Sequence, residues 1–214
     1  MHTAKILLIP AALLLWQTAP CKESRAAAPP TIAEIHALLA GRYENGAQVA
    51  HGKATGETPP PQHVTITIEP TEQQDWELWR VHMDVEPAVA ESAGSDTSLD
   101  AVWAINVSRQ AGKPAQLIPY TLKPSVDEAS VKVATFDRTQ WLPLEACTLD
   151  IDVRKSGMVA QVPPDEMCVA ETMGLGGKRA FLPTWVEREG DWLHAQLMYF
   201  GKPWRVDARI EGHR

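Results

Sequence analysis

Several features that define common protein classes are scarce or absent in this chain of 214 residues. It holds only three cysteines, too few for the dense cross-linking by which very small secreted domains replace a hydrophobic core. Lysine and arginine number 20 against 27 aspartate and glutamate, so there is no basic excess to neutralise the phosphates of nucleic acid. No apolar run approaches the roughly 20 residues that a membrane-spanning helix needs. We therefore expect one globular domain with no nucleic-acid partner and no membrane span.

Sequence signatures of common enzyme families are missing as well. There is no GxSxG run, no HExxH run and no pair of carboxylates at a recognisable catalytic spacing. The run Gly174–Gly177 lies between two strand-like segments, which predicts a hairpin turn rather than a nucleotide-binding loop. His51 and His63 flank the proline-rich loop, and His82 and His194 lie on predicted strands. A zinc site would need ligands gathered by the fold, so we expect solvent-facing or hydrogen-bonded side chains at the strand histidines.

The first 26 residues have the pattern of a secretory signal peptide. Lys5 precedes an apolar run of 11 residues, Ile6–Trp16, which is too short to cross a bilayer. Small residues around Ala26 offer a cleavage site. The sequence thus predicts a signal peptide over 1–26, a linker over 27–31 and one domain over 32–214. The mature chain would carry 17 Lys and Arg against 26 Asp and Glu, a net charge of −9.

The predicted location of the mature protein is the periplasm. Cys21 follows Pro20, a poor context for lipid attachment, so anchoring at Cys21 is the weaker alternative. Cleavage leaves Cys147 and Cys168, and an even pair in an exported protein predicts a disulfide. Such a cross-link would stabilise the fold by about 3 kcal/mol, and the alternative is two buried thiols.

Alternation of apolar and polar residues with a period of two dominates the chain after position 63. This pattern is typical of antiparallel strands with one buried face. Turn residues separate about ten such runs, which predicts a barrel or a sandwich and leaves the choice between them open. The clearest runs cover residues 64–68, 79–85, 103–107, 149–153 and 204–210.

A short helix is predicted before the strands. Thr31 and Glu34 form a capping-box pattern, and apolar residues recur at helical spacing until Gly41. Residues 44–62 hold three glycines and three prolines, which predicts a long loop. A second short helix is predicted near 137–141.

Tryptophans recur once or twice per predicted strand. Flat indole rings on one inner face would suit a flat conjugated ligand, and ordinary core packing is the alternative. Arginines on the strands are candidates to pair with ligand carboxylates, and the candidates are Arg42, Arg80 and Arg179.

Five pieces of the chain, in order, carry a resemblance to a known family. They read LLAGRYENGAQ (Leu38–Gln48), PYTL (Pro119–Leu122), PLEACTLDIDV (Pro143–Val153), MCVAETM (Met167–Met173) and FGKPWRVD (Phe200–Asp207). Together they span nearly the whole mature chain. In them the chain resembles the phycobiliprotein chromophore lyases of the CpcT/CpeT type.

The resemblance implies a calycin-like antiparallel barrel, related in architecture to lipocalins, that attaches a bilin to a cysteine of a phycobiliprotein. The bilin, a linear tetrapyrrole, is the ligand, and no cofactor is required. The nucleophile belongs to the acceptor protein, so both cysteines of this chain would be structural. In this scheme Arg42 pairs with an acidic group, the tyrosines stack or hydrogen-bond, and Gln48 orients the ligand. The implied ligand-binding residues are Arg42, Tyr43, Gln48, Trp103 and Tyr120.

One strand departs from the family's pattern. A tyrosine and two arginines of the family's Pro-Tyr-Arg-x-Arg-x-x-Tyr run are replaced by Ala115, Gln116 and Ile118, and only Tyr120 remains. This departure and the signal peptide favour an alternative of another class, a periplasmic carrier of an apolar or tetrapyrrole-like small ligand without catalysis. A third hypothesis is a barrel with a filled core that works through its outer surface.

Overall fold

Antiparallel strands make up most of the computed structural model. The model describes residues 30–58, 60–84, 98–165, 168, 182–199 and 202–212. The predicted signal peptide, the predicted turn at Gly174–Gly177 and Arg179 lie outside these ranges. The helices are α1 (Ile32–Leu39) and α2 (Gly46–Thr55). The strands are β1 (Gly41–Glu44), β2 (His63–Pro70), β3 (Trp76–Asp84), β4 (Ser98–Ser108), β5 (Ala115–Leu122), β6 (Trp141–Pro143), β7 (Leu149–Arg154), β8 (Gly157–Gln161), β9 (Trp185–Glu189), β10 (Trp192–Tyr199) and β11 (Lys202–Ile210).

The sheet closes on itself. Neighbouring strands pair antiparallel from β1 to β5, β5 continues to β7, and the order runs on to β11. The last strand then pairs with the first, with Ile210 opposite Tyr43. Ten strands form the closed barrel, and β6 adds to the end of β5. The predicted antiparallel, calycin-like barrel of about ten strands with a short N-terminal helix is therefore confirmed, and closure excludes an open sandwich.

The alternating side chains divide between the barrel interior and its outer face. Inward side chains from the strands pack with α1 into one apolar cluster, which includes Ile66, Val81, Trp103, Leu117 and Leu193. A strand places successive side chains on opposite faces, so the polar partners of these residues face outward. The period-two pattern of the sequence thus identified the buried face correctly.

The first helix covers one end of the barrel. Its capping box is as predicted: the Thr31 hydroxyl accepts from the Glu34 amide, and the Glu34 carboxylate accepts from the Thr31 amide at 2.7 Å. Ile35 and Leu39 are fully buried against the barrel core. Arg188, near the end of β9, donates to the Leu38 carbonyl at 3.1 Å. This end of the barrel is therefore closed by α1.

The loop predicted for residues 44–62 is partly wrong, because ten of its residues form α2. The glycines misled the prediction. Gly52 lies inside the helix because Pro61 packs against it, and a Cβ there would come within 2.3 Å of the proline Cδ. Gly56 ends the helix in the left-handed conformation, at φ 71°, that glycine adopts most easily.

A second apolar cluster covers the outer face of β3, β4 and β5. Trp76, Ala104 and Trp141 are buried in it, and Tyr120 and Phe136 pack against it. The segment between β5 and β6 provides this cover and contains three short 3₁₀ turns. The helix predicted near 137–141 is one of them, Arg138–Gln140.

The predicted disulfide is present. Cys147 and Cys168 are bonded, with their Cα atoms 4.4 Å apart. Cys147 is fully buried just before β7, so the cross-link ties the chain beyond β8 to the start of β7. In the part of the chain that is described, neither helix has the length and apolar character that a membrane crossing requires.

Candidate ligand-binding site

A cavity of about 1260 Å³ lies against the outward side chains of β1, β2 and β3 and the first residues of β4. It forms where β4 and β5 separate. The two strands pair from Ser108 to Ala104, where Ala104 is opposite Tyr120, and β5 ends two residues later while β4 reaches back to Ser98. Residues 98–103 of β4 are paired with β3 alone within the described ranges. The cavity is lined by both of the separated segments and by residues 142–147.

The lining of the cavity combines apolar and polar residues. Apolar contacts come from Val81, Ala101, Trp103 and Leu144. Arg42, Thr65, Thr67 and Arg80 come from the outer faces of three neighbouring strands, while Lys123, Asp127, Glu128 and Glu145 come from the facing segments. A site of this kind can hold an apolar body by contact and fix its orientation with a few polar groups.

Two arginines face the cavity from the strands. Arg42, Thr67 and Arg80 are aligned across β1, β2 and β3. Arg42 is held in place by Glu211 at 2.8 Å and Glu44 at 3.4 Å. Arg80 donates to the Val131 carbonyl at 2.6 Å and lies 3.8 Å from a Glu69 oxygen. Since a guanidinium has five donors, Arg80 keeps several for a further acceptor.

A row of alternating histidines and aspartates crosses β2, β3 and β4 beside the cavity. His63 lies 2.9 Å from Asp84, and His82 bridges Asp84 at 3.2 Å and Asp100 at 2.8 Å. The hydrogen bond to Asp100 raises the pKa of His82, and the bond from His63 lowers the pKa of Asp84. His82 and Asp100 also line the cavity. Each of the four side chains therefore has a hydrogen-bond partner within the row.

The indoles of Trp79 and Trp103 lie opposite each other on β3 and β4 and face the barrel interior. Trp79 donates through Nε1 to Glu77 Oε2 at 2.8 Å. Trp103 is 1 % exposed, and its Nε1 has no hydrogen-bond partner in the part of the chain that is described. Of the two rings, Trp103 lines the cavity.

The five ligand residues implied by the resemblance do not meet in one place. Arg42 and Trp103 line the cavity, and so does Arg80 from the wider set of arginines. Tyr43 is fully buried: its hydroxyl donates to the Leu39 carbonyl at 2.7 Å, and the Arg188 guanidinium lies 5.5 Å from its ring centre. Burial raises the pKa of Tyr43. This tyrosine anchors α1 at the closed end of the barrel.

Gln48 and Tyr120 also lie away from the cavity. Gln48, on α2, donates to the Arg205 carbonyl at 2.8 Å and accepts from the Asp207 amide, so it fastens α2 to β11. Tyr120 faces outward, edge-on to Trp76 with ring centres 4.7 Å apart. It borders a separate pocket of about 320 Å³ together with Gln116 and Ile118.

Sequence reasoning missed several residues of the cavity, among them Thr65, Thr67 and Lys123. The two threonines alternate with the buried Ile66 and Ile68, so the pattern placed them on the outer face. What it did not reveal is that this outer face borders a cavity. Lys123 follows β5 directly and carried no motif.

The cysteines and most of the histidines among the described residues have partners in the structure. Both Cys147 and Cys168 are bonded, so neither supplies a thiolate nucleophile. No three side chains of His, Cys, Asp or Glu within the described ranges gather as a metal-binding group. Three histidines of the sequence prediction are paired with aspartates, since His194 lies 2.5 Å from Asp207 in addition to the row described above.

Neither the models of known protein families nor the curated proteins include a match to this chain. The resemblance to CpcT/CpeT-type chromophore lyases therefore stays a prediction.

Proposed function

We propose that the protein is a carrier that binds, without transforming it, a flat and largely apolar small molecule that bears a carboxylate. The observation that carries the proposal is the cavity, whose lining combines apolar residues such as Val102 and Leu144 with Arg42 and Arg80. Its volume of about 1260 Å³ exceeds the range of about 300–1,000 Å³ that is usual for sites of drug-sized ligands.

The charges around the cavity favour one orientation of the bound ligand. Arg42 and Arg80 belong to the strand wall, whereas on the facing segments Asp127, Glu128 and Glu145 outnumber the single cation Lys123. A ligand carboxylate is attracted to the strand wall and repelled by the facing one. Arg80 is the better partner of the two arginines, because Arg42 already has two carboxylates within 3.4 Å.

A linear tetrapyrrole has the required chemistry, since a conjugated, mostly apolar body carries two propionate groups. The resemblance to chromophore lyases points to the same class of ligand. Binding alone requires nothing beyond the groups in the cavity, whereas ligation would also require an acceptor protein with a free cysteine. Binding is therefore the activity that we propose, and ligation is a separate outcome of the test.

The proposed place of action is the periplasm. The signal-peptide pattern of residues 1–26 supports it, and so does the disulfide, because such bonds persist in oxidising compartments. Fractionation of expressing cells should find the protein in the periplasmic extract with Ala27 at its N-terminus. Recovery in the cytoplasm with an intact N-terminus would refute export, and recovery with the membranes would favour a lipid anchor at Cys21.

The test of binding is a titration of the purified, oxidised protein with biliverdin, followed by tryptophan quenching and bilin absorbance. We expect saturable one-to-one binding. The absence of binding up to 100 μM, equivalent to about −5.5 kcal/mol, would refute the proposal for this ligand class. If phycocyanobilin became covalently attached to an apo-phycobiliprotein subunit in the presence of the protein, the carrier hypothesis would be replaced by the lyase hypothesis.

The role of Arg80 can be separated from its structural contact with Val131. Arg80→Gln should weaken biliverdin binding about tenfold, which is the effect of losing one charge-assisted hydrogen bond. The same variant should bind biliverdin dimethyl ester within about twofold of the wild type, since the ester has no charge to lose. Arg154→Gln, at an exposed arginine of β7 paired with Asp152, is the matched control and should bind both probes normally. Equal losses for acid and ester would show a structural effect instead.

A further inference from the structure

The first part of β4 has a backbone edge that no described strand covers. Residues 98–103 pair with β3 on one side, whereas the pairing with β5 on the other side begins only at Ala104. Closure of a barrel normally removes such edges, because their unpaired N–H and C=O groups can pair with another chain. Ala101 and Val102 of this segment line the cavity. We call the side of residues 98–103 that faces away from β3 the free edge.

The register shows which backbone groups lie on the free edge. The Val107 amide donates to the Asp75 carbonyl at 2.8 Å, on the β3 side of β4. Successive residues of an antiparallel strand direct their N–H and C=O groups to alternate sides. Counted back from Val107, the residues that direct these groups away from β3 are Ser98, Asp100 and Val102. Neither a ladder pairing nor a loop bond to these three backbones is present among the described residues on that side.

The short strand β6 shows how an edge is protected elsewhere in the same sheet. It pairs with β5, is three residues long and ends in Pro143, which has no N–H to donate. Short length and proline are two means by which native sheets prevent the addition of a further strand. Residues 98–103 are twice as long and contain no proline. The free edge is therefore suited to accept a strand.

A second copy of this chain does not suit the free edge. Antiparallel pairing of two such edges through all three positions would place Asp100 of one copy opposite Asp100 of the other. Like charges directly opposite each other destabilise a strand pair. The Asp100 side chain is 70 % exposed, and its one bond among the described residues is that from His82. A strand with a cation at this position would be a better partner.

The far side of the cavity favours a cation as well, since Asp127, Glu128 and Glu145 outnumber Lys123 there. We propose that the free edge binds an extended basic segment of a partner protein. The segment adds to β4 as an antiparallel strand and directs a lysine or arginine at Asp100. Backbone hydrogen bonds supply the affinity, and the carboxylates supply the selectivity. The inference goes beyond the carrier function and does not depend on it, because the free edge is a property of the backbone.

Amide hydrogen exchange of the wild-type protein tests the free edge without any substitution. The amides at 99, 101 and 103 belong to the ladder with β3 and should exchange slowly. The amides at 98, 100 and 102 should exchange at least about tenfold faster, because they lack a strand partner. Equal protection of the two sets would show that the edge is already covered, and the inference would fail.

Binding is tested with random ten-residue peptides displayed on phage and selected on the purified, oxidised protein. The selected peptides should be rich in lysine and arginine, and the best synthetic one should slow exchange at 98, 100 and 102. Val102→Pro removes an edge N–H but no bond to β3, and it should weaken the peptide at least about tenfold. Asp100→Asn should weaken it about three- to fivefold, the effect of one exposed ion pair. Asp152→Asn, at an exposed carboxylate of β7, is the matched control and should leave the Kd unchanged.

Three results would overturn the inference. They are the absence of any peptide with a Kd below about 1 mM, selection of peptides without basic residues, and binding that leaves exchange at 98, 100 and 102 unchanged. If Val102→Pro does not fold, Asp100→Asn and the exchange measurement decide the question. Each of these results is independent of the biliverdin titration, so the carrier function stands or fails separately.

Discussion

A buried ionic pair under α1 allows a pH-dependent prediction. Glu77 is fully buried, and its two oxygens lie 2.6 Å from His36 Nδ1 and 2.8 Å from Trp79 Nε1. His36 Nε2 lies 2.8 Å from the Gln74 carbonyl, which can only accept, so Nε2 carries a proton. Burial lowers the pKa of His36, but the hydrogen bond and charge of Glu77 outweigh it, so the pKa is raised. The pair is accordingly an imidazolium and a carboxylate.

The substitution Glu77→Gln keeps the shape of the site and removes its charge. The new amide can accept from Trp79 through its oxygen and donate to Nδ1 of a neutral His36, so every hydrogen bond is retained when the histidine is neutral. When His36 is protonated, it becomes a buried cation without a counter-ion. The variant should thus be sensitive to pH in a way that depends on His36 alone.

The sign of the effect follows from the raised pKa. A histidine with a raised folded pKa stabilises the wild type fully below its unfolded value of 6.5, and this contribution disappears as the pH rises through the folded pKa. A hydrogen bond between charged groups contributes about 1.5–3 kcal/mol, so we expect the variant to lose about 2–3 kcal/mol at pH 6. At pH 9 the loss should fall to about 1 kcal/mol or less, since neutral hydrogen bonds replace charged ones.

Urea unfolding, followed by circular dichroism at the two pH values, measures these losses. A lower urea midpoint with an unchanged dependence of the unfolding free energy on urea concentration reports a loss of stability. Asp152→Asn, which removes an exposed carboxylate beside Arg154, is the control and should change stability by less than about 1 kcal/mol at either pH. A loss for Glu77→Gln that is equal at both values, or larger at pH 9, would refute the assignment of His36 as an imidazolium.

Two further predictions concern the covalent and steric framework. Replacing Cys147 and Cys168 together by alanine should lower the free energy of unfolding by about 3 kcal/mol, and an unchanged urea midpoint would contradict this. Gly52→Ala should destabilise the protein by about 1–3 kcal/mol, because its Cβ would overlap Pro61, whereas Gly46→Ala has open space and should be neutral or stabilising. Similar melting temperatures for these two glycine variants would refute the steric explanation.

Much of the barrel could be predicted because its signal is local. Alternation around Ile66 or Ile151 identifies a strand and its buried face from a few neighbouring residues. Closure cannot be read in this way, since the pairing of Tyr43 with Ile210 joins opposite ends of the sequence. Helix α2 was not predicted for a related reason. Glycine disfavours a helix, and the contact with Pro61, nine residues later, that leaves no room for a side chain at Gly52 is seen only in the structure.

The candidate site was less predictable than the fold, because it depends on where one strand pair ends. Arg42 and Trp103 belong to opposite faces of the barrel wall, yet both line the cavity beside the part of β4 that extends past its pairing with β5. Tyr120 lies at the same point of separation but faces the outer cluster under Phe136. No sequence motif indicates the residue at which the pairing of β4 with β5 ends.

The separation of β4 from β5 also has a mechanical consequence. Hydrogen-bonded ladders make the wall of a closed barrel stiff, since widening it anywhere along a ladder breaks several bonds at once. The described structure has no such ladder between residues 98–103 and the end of β5. The first pairing of β4 with β5 is that of Ala104 with Tyr120. We therefore expect the wall to widen more easily beside residues 98–103 than along a paired ladder, and the pairing of Ala104 with Tyr120 to limit the widening.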